Sequence, residues 1–468
     1  MSLIAVIEAV VGVMWGPPLL ILLFGFGLFL TIRLRFFPIV SIARLFNQSQ
    51  KKSASSGEGD IAPFAALMTG LSSTVGTGNI AGVAVALSMG GPGAIFWMWM
   101  TALIGAASSY TETVLAVMFR EKGKNQEYQG GPMYYMEKGL GQTGKVLAVA
   151  FAGSGVLASL GTGAAIQAHS IADVLDSAFG ISNLAVGVVL AVLTGVVIIG
   201  GIGRVSRAAV FLTPMMAAAY IIGACTIILF NAERLPNVLV SIVQGAFGYD
   251  AVVGGFSGAL FLLALQRGAS RGFFSNEAGQ GTTPMIYASA KGDDPSRHGT
   301  FAASGVLFDT LIICSMTAFA IMTSGIYDPS CAMLTMSVDT ELTAHCKTGA
   351  ALTAAAFETG LPGVGEALVS ICLLLFAWTT ILGWSIYGER CSIYVFGAKS
   401  SMKFRWLWIA ATFMGAFGFN AFLESSVIAT NAFWLLMDLL TGMMAIPNLI
   451  ALLLLWPLVV RRQDWKTR

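Results

Sequence analysis

Ser-x-x-x-Gly-x-Gly occurs twice in this chain, at Ser72/Gly76/Gly78 in LSSTVGTGN and at Ser275/Gly279/Gly281 in FSNEAGQGT, 203 residues apart. Both copies lie inside mostly apolar stretches. A glycine costs a helix interior about 1 kcal/mol relative to alanine, so two within three residues, beside Thr, Asn and Gln, mark a point where a helix opens. Opening frees peptide N–H groups on one half and carbonyls on the other; the first attract a carboxylate, the second a cation. No carboxylate lies in 72–79, which suits a segment that receives an anionic group, and Thr74, Thr77 and Asn79 add neutral hydroxyls and an amide. The second copy, within FFSNEAGQGTTP at 273–284, supplies Phe274, Ser275, Asn276 and Gln280.

Each of these residues has a plainer reading. Small residues at 72–78 also let helices pack closely. Glu277 could meet a ligand ammonium, relay a proton, or pair with Arg271 or Arg267; Asp309 and Glu112 pose the same question. In Phe376-Ala377-Trp378-Thr379-Thr380, two adjacent hydroxyls suit a small hard cation, yet paired threonines also bond back to their own helix. Gln167 is either a ligand-binding amide or an interhelical hydrogen bond. Thr74–Gly78 (TVGTG) differs by one residue from a potassium-channel filter, but a filter needs four copies around an axis in re-entrant loops, and here it occurs once in a full-length stretch. His169, His298 and His345 form no metal-ligand spacing, no Ser/His/Asp set suggests hydrolysis, and no P-loop is present, so nothing marks an enzyme.

These residues are carried by an all-α chain. Of 468 residues, 56% are hydrophobic and 11% charged, which predicts a polytopic membrane protein lying in the lipid bilayer. About 20 apolar residues cross a ~30 Å hydrocarbon core. On that measure about eleven transmembrane helices are expected, near 15–33, 61–89, 93–119, 146–177, 182–200, 207–230, 251–289, 299–324, 364–396, 405–422 and 426–460. The first has no charged leader or small-residue cleavage site and reads as a retained span. With the N-terminus outside, 22 of the 26 Lys and Arg fall on the cytoplasmic side; Arg234 and Lys347 fall outside, and Arg267 and Arg271 within the seventh stretch. The net charge of +2 is thus explained by the membrane and gives no sign of nucleic acid.

Setting the first helix aside, the two glycine-broken spans each begin a set of five, and an odd number inverts the second set relative to the first. The expected division is an extra helix and loop (1–60), a five-helix repeat (61–230), an outer connection (231–250), an inverted five-helix repeat (251–460) and a tail (461–468). Segments 120–145 and 235–250 read as amphipathic pieces along the membrane faces. Cys225, Cys314 and Cys372 read as small core residues, and Cys391 lies near the cytoplasmic end of its span; Cys331 and Cys346 share the outer loop 325–363 as either a disulfide or two thiols. Broken helices in corresponding positions of two halves point to a transporter's central site.

The block GGPGAIFWMWMTALIG at 90–105 resembles the signature of the sodium:alanine/glycine symporters, as do TGLSSTVGTGNIAGV, YQGGPMYYMEKGLG, RGFFSNEAGQGTTP and FAWTTILGWSIYGER. The likeness covers nearly the whole chain. It implies a LeuT-type fold of ten core helices in an inverted five-plus-five repeat plus one extra helix. It also implies inward symport of small amino acids, alanine and glycine above all, with sodium or sometimes protons, in the cell membrane. No organic cofactor or obligate protein partner is expected. By resemblance, backbone at Thr74, Gly76, Thr77 and Gly78 takes the substrate carboxylate, with Asn79 beside it. Phe274, Ser275 and Asn276 border the substrate and Gln280 closes one side. Sodium falls to the carbonyls of Ser72, Val75 and Phe376 and the hydroxyls of Thr379 and Thr380, the last also counted at the substrate. Gln167 and Trp384 complete the pocket, Trp384 as a bulky wall.

Overall fold

The computed structural model of the protein describes residues 16–41, 57–124, 126–247, 257–328, 347–418 and 427–464, with residues 10 and 12. They are almost entirely helical. α1 is Pro17–Arg33, α2 Pro63–Thr74, α3 Gly78–Gly90, α4 Gly93–Met118, and α5 the long Pro132–Phe179. Then follow α6 (Asn183–Ile198), α7 (Ile202–Phe230), α8 (Leu235–Ala246), α9 (Ser257–Asn276) and the single turn α10 (Pro284–Tyr287). α11 (Pro295–Ser324), α12 (Gly349–Gly360), α13 (Gly365–Phe396), α14 (Ser400–Gly418) and α15 (Val427–Asp464) complete the order. Proline opens α2, α5, α10 and α11, where its missing N–H costs nothing because first-turn amides have no helical partner.

Each stretch expected as a span contains helix among the described residues. By length and composition, five of these helices can cross a membrane, or six with the bent pair α2–α3. α1 and α6 are shorter apolar helices. α6 leaves Val189, Val192 and Val196 exposed, the appearance of a helix that meets lipid. The seventh stretch breaks within the segment expected to open: its helix stops at Asn276. It is shorter than expected past the break, where only α10 is helical before the chain turns into α11. Glu277, Gly279 and Gly281 all take left-handed φ (56°, 84° and 78°), so no continuous helix can pass through them.

At the centre α4 packs along α9 and α11, while α13 lies against α2, α5 and α7. α5 kinks at Gly141, which separates 132–140 from the apolar remainder; α12 places a helix within what was expected as the outer loop 325–363. Wide π turns interrupt three helices, at Gly78–Gly82, Ser159–Ala165 and Phe308–Cys314. Such turns leave backbone groups unevenly paired and often sit at functional sites. Cys225, Cys314, Cys372 and Cys391 are free thiols; Cys331 and Cys346 lie outside the described residues.

Candidate functional site

The first break lies between α2 and α3, which bend by 56°. Val75 leaves the helix for extended backbone (φ −75°, ψ 93°). Asn79 then holds the opened turn, its Oδ1 accepting the Gly76 N–H at 2.9 Å while its own N–H donates to Gly76 O at 3.2 Å. A Cβ on Gly76 would stand 2.6 Å from Thr380 Oγ1, so only glycine permits this approach of α13. The Thr77 hydroxyl donates to Gln167 Oε1 of α5 at 3.3 Å.

At the second break, Gln280 folds back and its Nε2 donates to Phe273 O at 2.8 Å, satisfying a carbonyl at the open end of α9. The Glu277 carboxylate accepts the Trp384 indole N–H at 2.8 Å and the Thr282 hydroxyl at 2.5 Å. Glu112 of α4 accepts the Gly281 N–H at 3.1 Å and an N–H of Asn448, whose amide also donates to Gly279 O at 2.9 Å. Tyr135 donates in turn to Asn448 Oδ1. Glu112 therefore belongs to the scaffold behind the break.

Asp309, on the π turn of α11, lies between the two breaks. Its Oδ1 accepts the Asn79 amide at 2.7 Å; its Oδ2 accepts the hydroxyls of Ser275 at 2.9 Å and Thr310 at 3.1 Å. An aspartate absent from both motifs thus joins them.

Between the breaks is a small cavity of about 20 Å³, lined by Thr74, Gly76, Thr77, Gly78, Gln167, Phe274, Ser275, Gln280, Thr380 and Trp384. That volume is about one water's worth. Ser73, Thr162, Glu277 and Thr441 complete the lining. Asn79 and Asn276 are off the wall. Asn79 faces Asp309, and Asn276 lines a separate small void, its amide near the hydroxyls of Thr101 and Thr310 at 3.4 and 3.3 Å. The resemblance implies both beside the substrate; neither lines this cavity. Three of the added wall residues had a readable signal: Ser73 adjoins the first motif, Glu277 lies inside the second, and Thr162 is flanked by glycines in LGTGA, another small-residue run that loosens a helix. Thr441 had none. Gly163 gives Trp384 its place, since a Cβ there would lie 2.6 Å from Trp384 Cβ.

Below the first break, Thr380 Oγ1 lies 3.4 Å from Ser72 O and 3.5 Å from Val75 O, and donates to Phe376 O at 3.0 Å. Thr379 donates to the same carbonyl at 3.0 Å. Both threonines thus bond back to their own helix. Their lone pairs stay available, however, and the group is a cluster of neutral oxygens from α2 and α13, the donor set of a small hard cation.

One face of the molecule carries a second polar network. Arg120, just past α4, donates to the carbonyls of Ala290 (2.7 Å), Glu58 (2.9 Å), Gly292 (3.1 Å) and Ala288 (3.2 Å), and its guanidinium lies 4.9 Å from the Tyr128 ring centroid. Ile61 and Ala290 form an isolated parallel bridge, with backbone hydrogen bonds joining 60–61 to 289 and 291, and Asp60 accepts the Tyr128 N–H at 2.8 Å. Burial pushes the Asp60 carboxyl above its usual 3.8, against the Tyr128 N–H and the cations Arg390 and Arg120.

Residues 1–467 match the model of the sodium:alanine symporter family. The chain is 41% identical to the sodium/alanine symporter AgcS of Methanococcus maripaludis over 98% of its own length and 96% of the relative's. It is 35% identical to the probable sodium/glutamine symporter GlnT of Bacillus subtilis, covering 96% and 88%, and 35% identical to the amino-acid carrier protein AlsT of the same organism, covering 93% and 86%. In fold it is similar to a Na+-coupled sialic acid symporter solved in a substrate-bound outward-open state, with a TM-score of 0.54 and 14% identity over 92% of this chain and 97% of that one. A chain matched over its full length, with two opened helices meeting at a buried polar cavity, belongs to the sodium:alanine symporter family.

Proposed function

We propose that this membrane protein imports alanine and glycine with sodium by alternating access. The carrying observation is the cavity itself. Gly76, Thr77 and Gly78 on one side and Phe274 and Ser275 on the other line a cavity that also carries the Glu277 carboxylate, beside a cluster of neutral oxygens, a donor set that suits a small zwitterion with a cation. In this reading the freed backbone of the first break takes the substrate carboxylate, Trp384 and Gln167 limit the side chain, and Glu277 meets the ammonium while Trp384 and Thr282 hold it in place. Sodium is bound by Ser72, Val75 and Phe376 carbonyls and the Thr379 and Thr380 hydroxyls. By clasping α2 to α13 it favours the state that binds substrate. Crossing the full potential yields about 2.3 kcal/mol per charge per 100 mV, which drives accumulation without ATP.

The same reading takes the ten expected spans after the first as two inverted sets of five, 61–230 and 251–460, with the N-terminus outside and the C-terminus and the Arg120 network cytoplasmic. The basic-residue asymmetry supports that orientation. The test is uptake of labelled L-alanine and glycine into proteoliposomes, with competition by D-alanine, serine and glutamine. Uptake that collapses without a sodium gradient is the expected result. Uptake indifferent to sodium but abolished by a protonophore moves the coupling to a proton, with Glu277 as its carrier; preferential competition by glutamine moves the substrate.

A further inference from the structure

A concavity of about 400 Å³ opens on the molecular surface where α13 ends and α14 begins, far larger than the central cavity and made from none of its residues. Its polar part is Lys399, Lys403, Ser392 and Ser400; its apolar part is Phe396, Phe404, Leu407 and Val156. Lys399 and Lys403 are one helical turn apart, both are exposed, and neither has an acidic partner among the described residues. Neighbouring cations differ. Arg405 is engaged by Glu389 at 2.6 and 3.1 Å and Arg390 by Glu127 at 3.0 Å. Two unneutralised charges within one turn of each other, in a hollow, repel one another unless an anion joins them.

The apolar part restricts what that anion is. Phe396 is 67% exposed and Leu407 51%, and Trp406 beside them is 59% exposed, so the hollow opens at the end of a lipid-facing apolar surface with an aromatic residue at its border. A soluble anion would gain nothing from Phe396, Phe404 or Leu407. A molecule with an anionic head and an acyl chain satisfies both halves, and basic hollows beside membrane helices hold such heads.

We propose that this hollow binds an anionic phospholipid, its phosphate between Lys399 and Lys403 and its first acyl segment along Phe396 and Leu407. The test is native mass spectrometry of the purified full-length protein with phosphatidylglycerol, against phosphatidylcholine of the same chains. The wild type should retain phosphatidylglycerol preferentially, and Lys399→Gln with Lys403→Gln should weaken that retention by about tenfold while leaving phosphatidylcholine unchanged. Lys399→Arg with Lys403→Arg should keep it, which separates lost charge from lost folding. Lys122→Gln with Lys124→Gln, exposed basic residues outside the hollow, should have no effect. Equal loss in that control would make the attraction diffuse surface charge and overturn the site. Unchanged retention in the double glutamine variant would overturn it as well, and competition by inorganic phosphate alone would reassign the hollow to a soluble anion.

Discussion

Asn79 and Asp309 are 230 residues apart in the chain and 2.7 Å apart in the fold, and through them the two broken helices share one hydrogen-bonded unit. Gly76 N–H, the Asn79 amide, the Asp309 carboxylate and the Ser275 hydroxyl form an unbroken sequence from one break to the other. Asp309→Ala takes away the short carboxylate acceptor of both Asn79 and Ser275 and leaves them only the residue-309 carbonyl at 3.4 Å and the Cys314 sulfur at 3.3 and 3.5 Å. A buried unpaired polar group costs about 1–3 kcal/mol. The variant should unfold at a lower temperature and, where it folds, bind alanine more weakly; unchanged thermal unfolding with unchanged uptake would show that the breaks hold themselves.

Thr379→Ala removes a hydroxyl from the neutral-oxygen cluster and leaves the central cavity's wall intact, since Thr380 and not Thr379 lines it. The sodium concentration for half-maximal alanine uptake should rise about tenfold, equivalent to ~1.4 kcal/mol. Alanine affinity at saturating sodium should change much less. A sodium titration that superimposes on wild type would exclude Thr379 from the ion's ligands.

Gly76→Ala introduces a methyl 2.6 Å from Thr380 Oγ1. That contact must push α13 from the first break, so sodium-driven uptake should be abolished in protein that is still folded by gel filtration and circular dichroism. Gly82, whose added Cβ would meet nothing within 4 Å, is the control: Gly82→Ala should transport normally.

Asp60 provides a pH test away from the transport site. Its raised carboxyl binds a proton more tightly in the folded state than in the unfolded one. The stability it contributes is therefore full below the unfolded value and declines as pH rises through the folded value. Asp60→Asn retains an acceptor for the Tyr128 N–H without the ionisation. As pH rises above the usual carboxyl value of 3.8, the wild type should lose thermal stability relative to Asp60→Asn; parallel curves for the two proteins would mean that the fold does not shift this carboxyl.

Both breaks were legible because glycine spacing is local, and the apolar stretches because lipid demands about 20 residues regardless of partner. The Thr379–Thr380 pair was legible from its own residues as chemistry only: the resemblance grouped it with Ser72 and Val75, and the fold supplies the distances, 3.4 and 3.5 Å from Thr380 Oγ1. What sequence could not reveal was which way an opened segment faces. Asn79 and Asn276 sit within their motifs yet do not line the cavity: Asn79 follows the first break and faces Asp309, while Asn276 ends α9 and faces Thr101 and Thr310. Asp309 and Glu112 looked alike as buried acids. Their separate duties, tying the breaks together and capping the second one, depend on contacts 169 to 336 residues away in the chain.

The abutment of Gly163 and Trp384 also bears on how this transporter could acquire a new cargo. With a Cβ at Gly163 excluded by the tryptophan, neither position can drift alone: a larger residue at 163 collides, and a smaller one at 384 leaves a void and strands Glu277 without its indole donor. A change of diet would therefore pass through a double step, with the intermediate impaired. Building the two changes in both orders would reveal which of the two residues has to yield first.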